Sequence, residues 1–380
     1  MAVGIIAEFN PFHNGHKYLI EQAKANADDK VVVIMSGSFV QRGGIAITDK
    51  LTRAKLALLN GADLVIELPL VFSHNTAQKF AYGAIATLQA TGVIDSLAFG
   101  SETGDRQALM SASHLIADEP YEVSEKIKRL LDMGKPYPVA REEAYEGYFD
   151  TALLKTPNNI LALEYLSECI KLNFNVNPIA VKRTGANHDS SVTTDTVASA
   201  TEIRKRVLSG EDFSRYMPST DFDVYDPRHL DTAVIAHLRI ATPEMIEKIN
   251  DVSEGLQNKF ISASMEADTV DELCMAVKSK RYTYSRIRRI AYSCFIGLTK
   301  EHAALPPSYI RVLGMNSRGM ELLRKMKNTA TLPVITKPAD YNGDEIFNLN
   351  SKGDDIFALC SSNKEKRKGG NDLRMTPVIL

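Results

Sequence analysis

Four short, almost wholly apolar runs recur along the first hundred or so residues: "AVGIIAEF" (2–9), "KVVVIMSG" (30–37), "DLVIELP" (63–69) and "SLAFGSE" (96–102). They lack the alternation of polar and apolar side chains that marks a half-exposed strand, so they fit strands covered on both faces. The stretches between them, from His16 to Ala27 and at roughly 49–60 and 75–91, carry helical spacing. Strand, helix and strand repeated in this way predict a parallel sheet built from right-handed crossovers, with helices on both faces. A helical insert is expected over about 105–150, and a further helix runs from about Asn159 to Leu172. "NPIAVKR" (177–183) supplies a fifth strand, and "SATEIRKRVLSG" (199–210) starts on small capping residues and stops at Gly210. The expected fold is α/β, a Rossmann-like parallel sheet.

A chain of 380 residues exceeds one ordinary core, so two domains are expected. "YMPSTDFDVYDPRHL" (216–230) has two prolines and no periodicity, which places the junction there and divides the chain into 1–215 and 216–380. Residues 231 to about 300 read as helical, with short strands at 309–315 and 332–337, and the basic end "SSNKEKRKGGNDLRMTPVIL" reads as loose. The net charge of −2 leaves room for a local basic face. Cys169, Cys274, Cys294 and Cys360 are far apart without a C-x-x-C pair, so neither a zinc site nor a disulfide scaffold is expected. No metal-ligand cluster is visible. No run approaches the roughly 20 apolar residues of a membrane span, and no signal core follows the N-terminus. The expectation is a cytoplasmic protein with no membrane association and no protein partner evident.

"EFNPFHNGH" (8–16) falls where the first strand ends and the first helix begins. That is where open parallel sheets bind ligands, and the helix N-terminus favours phosphate oxygens. Gly15 lets a ribose or base lie against bare backbone. His13 and His16 can each give a ring N–H to phosphate oxygens as an α-phosphorus is attacked and pyrophosphate leaves. The competing reading is that the two histidines merely cap and pack.

"FNPFHNGH" resembles the His-x-Gly-His signature of the nucleotidyltransferase superfamily. The fuller set is similar to the bacterial tRNA(Met) cytidine acetate ligases: "GIIAEFNPFHNGH" (4–16), "MSGSFVQRG" (35–43), "DLVIELP" (63–69), "FGSETGD" (99–105), "PNNILALEY" (157–165), "ASATEIRK" (198–205), "DVSEGLQNK" (251–259) and "KSKRYTYSRIRR" (278–289). The resemblance implies a nucleotidyltransferase-like ATP-binding catalytic domain over 1–215 and a mainly helical tRNA-binding domain over 216–380. It implies ATP-dependent activation of acetate to acetyl-adenylate with release of pyrophosphate. The acetyl group then passes to N4 of the wobble cytidine of elongator tRNA(Met), giving N4-acetylcytidine, without acetyl-CoA. Magnesium is expected to accompany ATP.

The resemblance places the ATP cradle on Ile6, Ala7, Glu8, Phe9, Asn10, Pro11, Phe12, His13, Asn14, Gly15, His16, Lys17, Tyr18 and Leu19, with His13 and His16 catalytic. Gly100, Asn158 and Arg183 match positions that contact ATP. Ser199, Thr201 and Arg204 lie in a segment that closes over the triphosphate in small-molecule adenylyltransferases, although the hydroxyls equally suit a helix cap, and Ala200 replaces a serine of that pattern. Gln41 and Arg42 are candidates to face the cytidine or the tRNA backbone. Glu8 and Asn10 would orient either the attacking carboxylate or the incoming base. His188 in "NHD" is a candidate for handling the amine proton.

"KSKRYTYSRIRR" gathers Lys278, Lys280, Arg281, Arg286, Arg288 and Arg289 around Tyr282 and Tyr284 with no acid among them. Cations that hold phosphates beside rings that stack on unpaired bases form an RNA-binding pattern. The plain alternative is a solvated helix face. Two other functions stay open: a small-molecule adenylyltransferase of coenzyme biosynthesis, which has no need of the basic helical region, and a non-catalytic RNA-binding protein with a relict nucleotide site.

Overall fold

The computed structural model describes residues 1–27, 30–183, 196–253 and 255–380. The apolar runs become strands β1 (Ala2–Ala7), β2 (Lys30–Ser36), β3 (Leu64–Leu68) and β4 (Ile94–Ser101), joined by β5 (Asn177–Lys182). They lie parallel in the order β5-β4-β1-β2-β3, with Val3 opposite Val31 and Ile5 opposite Val33. Between them run α1 (Asn14–Ala27), α2 (Lys50–Leu59), the single turn α3 (Leu70–Ser73) and α4 (Ala77–Thr91). The insert forms α5 (Arg106–Ala117), α6 (Tyr121–Asp132) and α7 (Tyr137–Ala144), followed by α8 (Pro157–Lys171) and, after β5, α9 (Ala200–Ser209).

Period-two geometry sends alternate residues of each strand to opposite faces. On one face Val3, Ile5, Val31 and Val33 pack under Ile20 and Ala23 of α1 and Ala54 and Ala57 of α2. On the other, Ile6, Val32 and Ile34 meet Ala81, Ala84 and Leu88 of α4, with Ala162 and Leu166 of α8 in the same core. Because the chain proceeds from β1 to β2 and β3 on one side but returns to β4 and β5 on the other, the carboxyl end of β1 lies at the switch point.

Residues 231–304 are helical, as α10 (Asp231–Ile240), α11 (Pro243–Glu247), α12 (Leu256–Glu266), α13 (Val270–Val277), α14 (Tyr284–Ile296) and α15 (Lys300–Ala304). The chain then departs from the expected layout. β6 (Ile310–Met315) returns to the sheet and pairs antiparallel with β3, placing Arg311 opposite Glu67. β7 (Val334–Ile335) and β8 (Val378–Ile379) both pair with β6, and α16 (Ser317–Thr329) and α17 (Glu345–Ala358) pack around this edge. β3 is buried along its whole length, so its outer edge needs a covering strand, and β6 supplies it.

The expectation of a loose basic tail is corrected here. Buried Asp372 accepts from Lys50 Nζ at 2.7 Å and from Arg311 Nη1 at 2.6 Å, which pins the end of the chain to the sheet. Both cations belong to a buried cluster with Glu67 and Asp354, so the acidic residue of the tail is what its basic composition concealed.

Candidate active site

After β1 the chain turns sharply through Phe9, whose φ of 48° is left-handed, and starts α1 at Asn14. Phe9 and Phe12 are fully buried and meet edge to face with ring centres 4.8 Å apart, and both lie against the His16 ring. The rings of His13 and His16 stack at 3.7 Å. The Gly15 N–H donates to His13 Nδ1 at 3.1 Å, and the His13 N–H donates to His16 Nδ1 at 3.2 Å. A nitrogen that accepts a backbone N–H carries a lone pair, so Nδ1 is the acceptor in both rings.

Gly15 also makes room for a neighbour within the turn. A Cβ there would lie 3.0 Å from His13 Cε1, so what approaches its bare backbone is the histidine ring itself. Ile6 and Ala7 are buried in the strand, Pro11 lies buried in the turn, and Tyr18 and Leu19 pack on the core beneath α1. Lys17 pairs at the surface with Glu21. Asn14 Nδ2 donates to the carbonyls of Thr196 at 2.9 Å and Arg215 at 3.0 Å. Glu8 Oε1 accepts from the Gln41 N–H and Asn10 Oδ1 from the Ile47 N–H, each at 2.8 Å. Both side chains therefore fasten the loop after β2 to the histidine turn.

Arg53, which the sequence did not single out, organises these loops. It is fully buried on α2 and donates to the carbonyls of Thr48 (3.1 Å), Glu8 (2.8 Å), Ser36 (2.9 Å) and Gly37 (2.6 Å). Burial lowers its pKa to about 10 despite nearby carboxylates. The only signal was an arginine one turn after the cap Asp49, in a helix that also carries Lys50 and Lys55.

Across the switch point, Gly100 and Arg183 meet: a Cβ on Gly100 would sit 3.6 Å from Arg183 Cγ. Glu102, to which the sequence assigned no role, accepts from Asn158 Nδ2 at 2.6 Å, from the Asn158 N–H at 3.2 Å and from the Asn159 N–H at 2.8 Å. Burial alone would raise its pKa, but these donors hold it below the usual carboxylate value. Asn158 Oδ1 in turn accepts from Arg183 Nη1 at 3.4 Å. The structure thus brings Gly100, Asn158 and Arg183 together, with Glu102 setting the amide.

Ser199 caps α9 by accepting from the Glu202 N–H at 3.1 Å. Arg204 reaches from α9 to the Asn10 carbonyl at 2.7 Å and to Thr201 Oγ1 at 3.1 Å, so this segment closes on the histidine turn. His188 lies outside the described residues.

The basic stretch divides. Lys278 and Lys280 are exposed. Arg281 donates to the Leu131 carbonyl of α6 at 3.3 Å. Tyr282 is buried under the Arg286 guanidinium, which lies 4.9 Å from its ring centre and donates to the Asp251 carbonyl and Ser253 Oγ. Tyr284 donates to Asp271 at 2.5 Å. Arg288 lies over Tyr292 and against Gly44, while Arg289 bonds Asp251 Oδ2 at 2.7 Å and the Gln41 carbonyl at 3.2 Å. Gly43 and Gly44, at φ 84° and 98°, allow this close approach, since a Cβ on Gly43 would meet the Arg289 nitrogen at 2.8 Å. The acids missing from the stretch come from Asp251 and Asp271, and four of its six cations serve contacts within the protein.

Residues 1–372 match the family model described as HIGH Nucleotidyl Transferase. A tRNA(Met) cytidine acetate ligase of Clostridium tetani is 38% identical over 402 residues, covering 99% of each chain. One from Thermoanaerobacter sp. is 38% identical over 385 residues, covering 95% of this chain and 96% of the relative. The crystal structure of Thermotoga maritima TmcAL bound with alpha-thio ATP superposes with a TM-score of 0.91 at 29% identity, over 100% of this chain and 99% of the other. No helix among the described residues is long and apolar enough to cross a membrane.

Proposed function

The chain belongs to the tRNA(Met) cytidine acetate ligases within the HIGH nucleotidyl transferase family, and on that premise we propose that it joins acetate to elongator tRNA(Met) at the expense of ATP. The observation that carries this reading is the stacked His13–His16 pair, each ring accepting a backbone N–H at Nδ1, at the carboxyl end of β1. Two imidazole rings at a helix start suit an α-phosphate whose negative charge grows during attack.

An acetate oxygen attacks the α-phosphorus of ATP, the P–O bond to pyrophosphate breaks, and acetyl-adenylate remains. His13 and His16 bind the α-phosphate oxygens. Asn158 and Arg183, set by Glu102, hold the nucleotide across the switch point beside Gly100, and Arg204 draws Ser199 and Thr201 toward the leaving pyrophosphate. Residues Ile6 to Leu19 contribute mainly through the backbone and through the packing that fixes the turn. Magnesium arrives as the counter-ion of the triphosphate. In the second step N4 of the wobble cytidine attacks the acetyl carbon, the bond to AMP breaks, and the amine gives up a proton. Lys278 and Lys280 are the members of the basic stretch placed to meet tRNA phosphates. The domains take the same roles: the sheet binds ATP, and the helical region of 231–304 serves the tRNA in the cytoplasm.

Pyrophosphate exchange into ATP tests the reading. Exchange that requires acetate, and N4-acetylcytidine formed from ATP and acetate but not from acetyl-CoA alone, is the expected result. Exchange that requires a phosphorylated coenzyme precursor instead overturns it. His16→Ala should abolish exchange while leaving tRNA affinity within about twofold, since it removes a phosphate donor and no RNA contact.

A further inference from the structure

The C-terminal basic segment is tied through Tyr225 and Ile47 to the histidine turn. Asn10 Oδ1 accepts from the Ile47 N–H at 2.8 Å, and the Ile47 carbonyl accepts from the Tyr225 N–H at 2.8 Å. Tyr225 forms an antiparallel bridge with Ser361, and its ring stacks on Phe357 with centres 4.1 Å apart. The Ser362 N–H donates to the Val224 carbonyl and the Asp226 N–H to the Cys360 carbonyl, each at 2.8 Å. Residues 360–362 are therefore a few hydrogen-bonded steps from the histidine turn, at the carboxyl edge of the sheet.

From there the chain folds back as a tight turn, Lys364–Arg367, capped by Asn363 and held by Arg367 Nε on the Ser361 carbonyl at 2.8 Å. Lys364 Cα is three residues from Ser361, at most about 10 Å of extended chain. Further on, Asp372 locks the segment into the buried cluster with Lys50 and Arg311. Residues 364–368 carry Lys364, Lys366, Arg367 and Lys368 against one acid, Glu365. Of the acids that face them, Asp223 is taken by Lys366 and Asp355 accepts from the Gly370 N–H at 2.6 Å. Lys364 and Lys368 are exposed, with Lys368 only loosely paired to Glu365 at 3.6 Å.

We infer that Lys364–Lys368 is a preformed ridge that binds the phosphate backbone of tRNA at the mouth of the nucleotide site. A cation row fixed before binding avoids much of the ordering cost that a loose tail would meet. The inference rests on the tRNA-modifying reading given above.

The test is the double variant Lys364→Glu/Lys368→Glu in the full-length protein, assayed with an in vitro transcript of elongator tRNA(Met). Acetate-dependent exchange and Tm should match the wild type, because neither side chain touches the nucleotide site or the core. Binding of the transcript should weaken about tenfold at low salt, and the slope of log K against log salt should fall by one to two, about 0.7–0.9 for each phosphate that is no longer neutralised. Lys364→Gln/Lys368→Gln should fall in between. Unchanged affinity and slope in both variants, with wild-type exchange and binding intact, overturn the ridge alone. A wild-type protein without acetate-dependent exchange or transcript binding overturns the functional reading, and the ridge with it.

Discussion

At the scale of single residues, the site depends on which hydrogen-bonding atom each side chain turns to its neighbour. Gly15 serves His13: a methyl there comes within 3.0 Å of the ring and disturbs both the stack and the Nδ1 hydrogen bond. Since displacements of about an ångström in a catalytic group cost roughly 10²-fold, Gly15→Ala should slow acetate-dependent exchange by about that factor. Tm should hold or rise slightly, because Ala is the better helix residue by about 1 kcal/mol; a wild-type exchange rate would show that the ring is free to move. Glu102→Gln replaces an acceptor-only carboxylate by an amide, so either the Oε1 position that receives the two Asn158 donors or the Oε2 position that receives the Asn159 N–H would present N–H instead. The Asn158 amide then loses its fixed orientation toward Arg183, and KM for ATP should rise about tenfold with kcat nearly unchanged. An equal fall of Tm and kcat with KM constant would assign Glu102 to helix capping alone. None of this was visible in "FGSETGD", because the partners of Glu102 lie 56 residues or more downstream.

Elements were legible where their signal was local. β1 to β5 could be placed because a strand buried on both faces reads as an unbroken apolar run. β6 could be recognised as a strand but not assigned to β3, since pairing across some 250 residues leaves no mark in either segment. The basic stretch was legible only in composition: a helix turns successive residues in different directions, so cations adjacent in sequence need not share a surface. Arg289 is 8% exposed and joins Asp251 on one side to Gln41 of the β2 loop on the other. Arg289→Ala leaves the Asp251 carboxylate without its buried cation, and about 3 kcal/mol of stability should be lost, with the salt dependence of tRNA binding unchanged. Lys278→Ala/Lys280→Ala should behave in the opposite way, with Tm constant and the salt slope reduced by about one to two. Urea titration of Arg289→Ala and salt titrations of both variants separate the two outcomes; a reduced slope in Arg289→Ala would return that residue to the RNA-facing set.

Over the whole molecule, the two ends of the chain meet in one buried cluster, where Lys50, Arg311, Glu67, Asp354 and Asp372 lie together with Ser38 and Asn350. Lys50 and Arg311 bond these three carboxylates directly while buried Arg53 acts on Glu67 and Asp354 from further off, and a charge held in such a site without a close partner is costly. Asp354 is where protonation is favoured: burial, and then the carboxylates of Asp372 and Glu67, raise its pKa well above the ordinary value against the pull of Lys50. Asp372 goes the other way, its burial overcome by Lys50 and Arg311, so it stays ionised well below the ordinary range. The signs of the linkage follow. Asp372 stabilises the fold above the unfolded carboxylate pKa of about 4 and loses that contribution as pH falls below it. Asp354 stabilises fully below about 4, and its contribution declines as pH rises toward its elevated folded value. The two acids should therefore respond oppositely to amide substitution. Asp354→Asn imitates the protonated acid that the fold favours, so stability at pH 7 should be equal or higher and the decline of stability above pH 4 should flatten. Asp372→Asn strips Lys50 and Arg311 of their ionised partner and should cost about 3–5 kcal/mol, releasing β8 and the basic segment from the sheet. Urea unfolding of both variants between pH 4 and 8 measures this. If Asp354→Asn is as damaging at pH 7 as Asp372→Asn, Asp354 is ionised in the fold and the cluster holds all three negative charges.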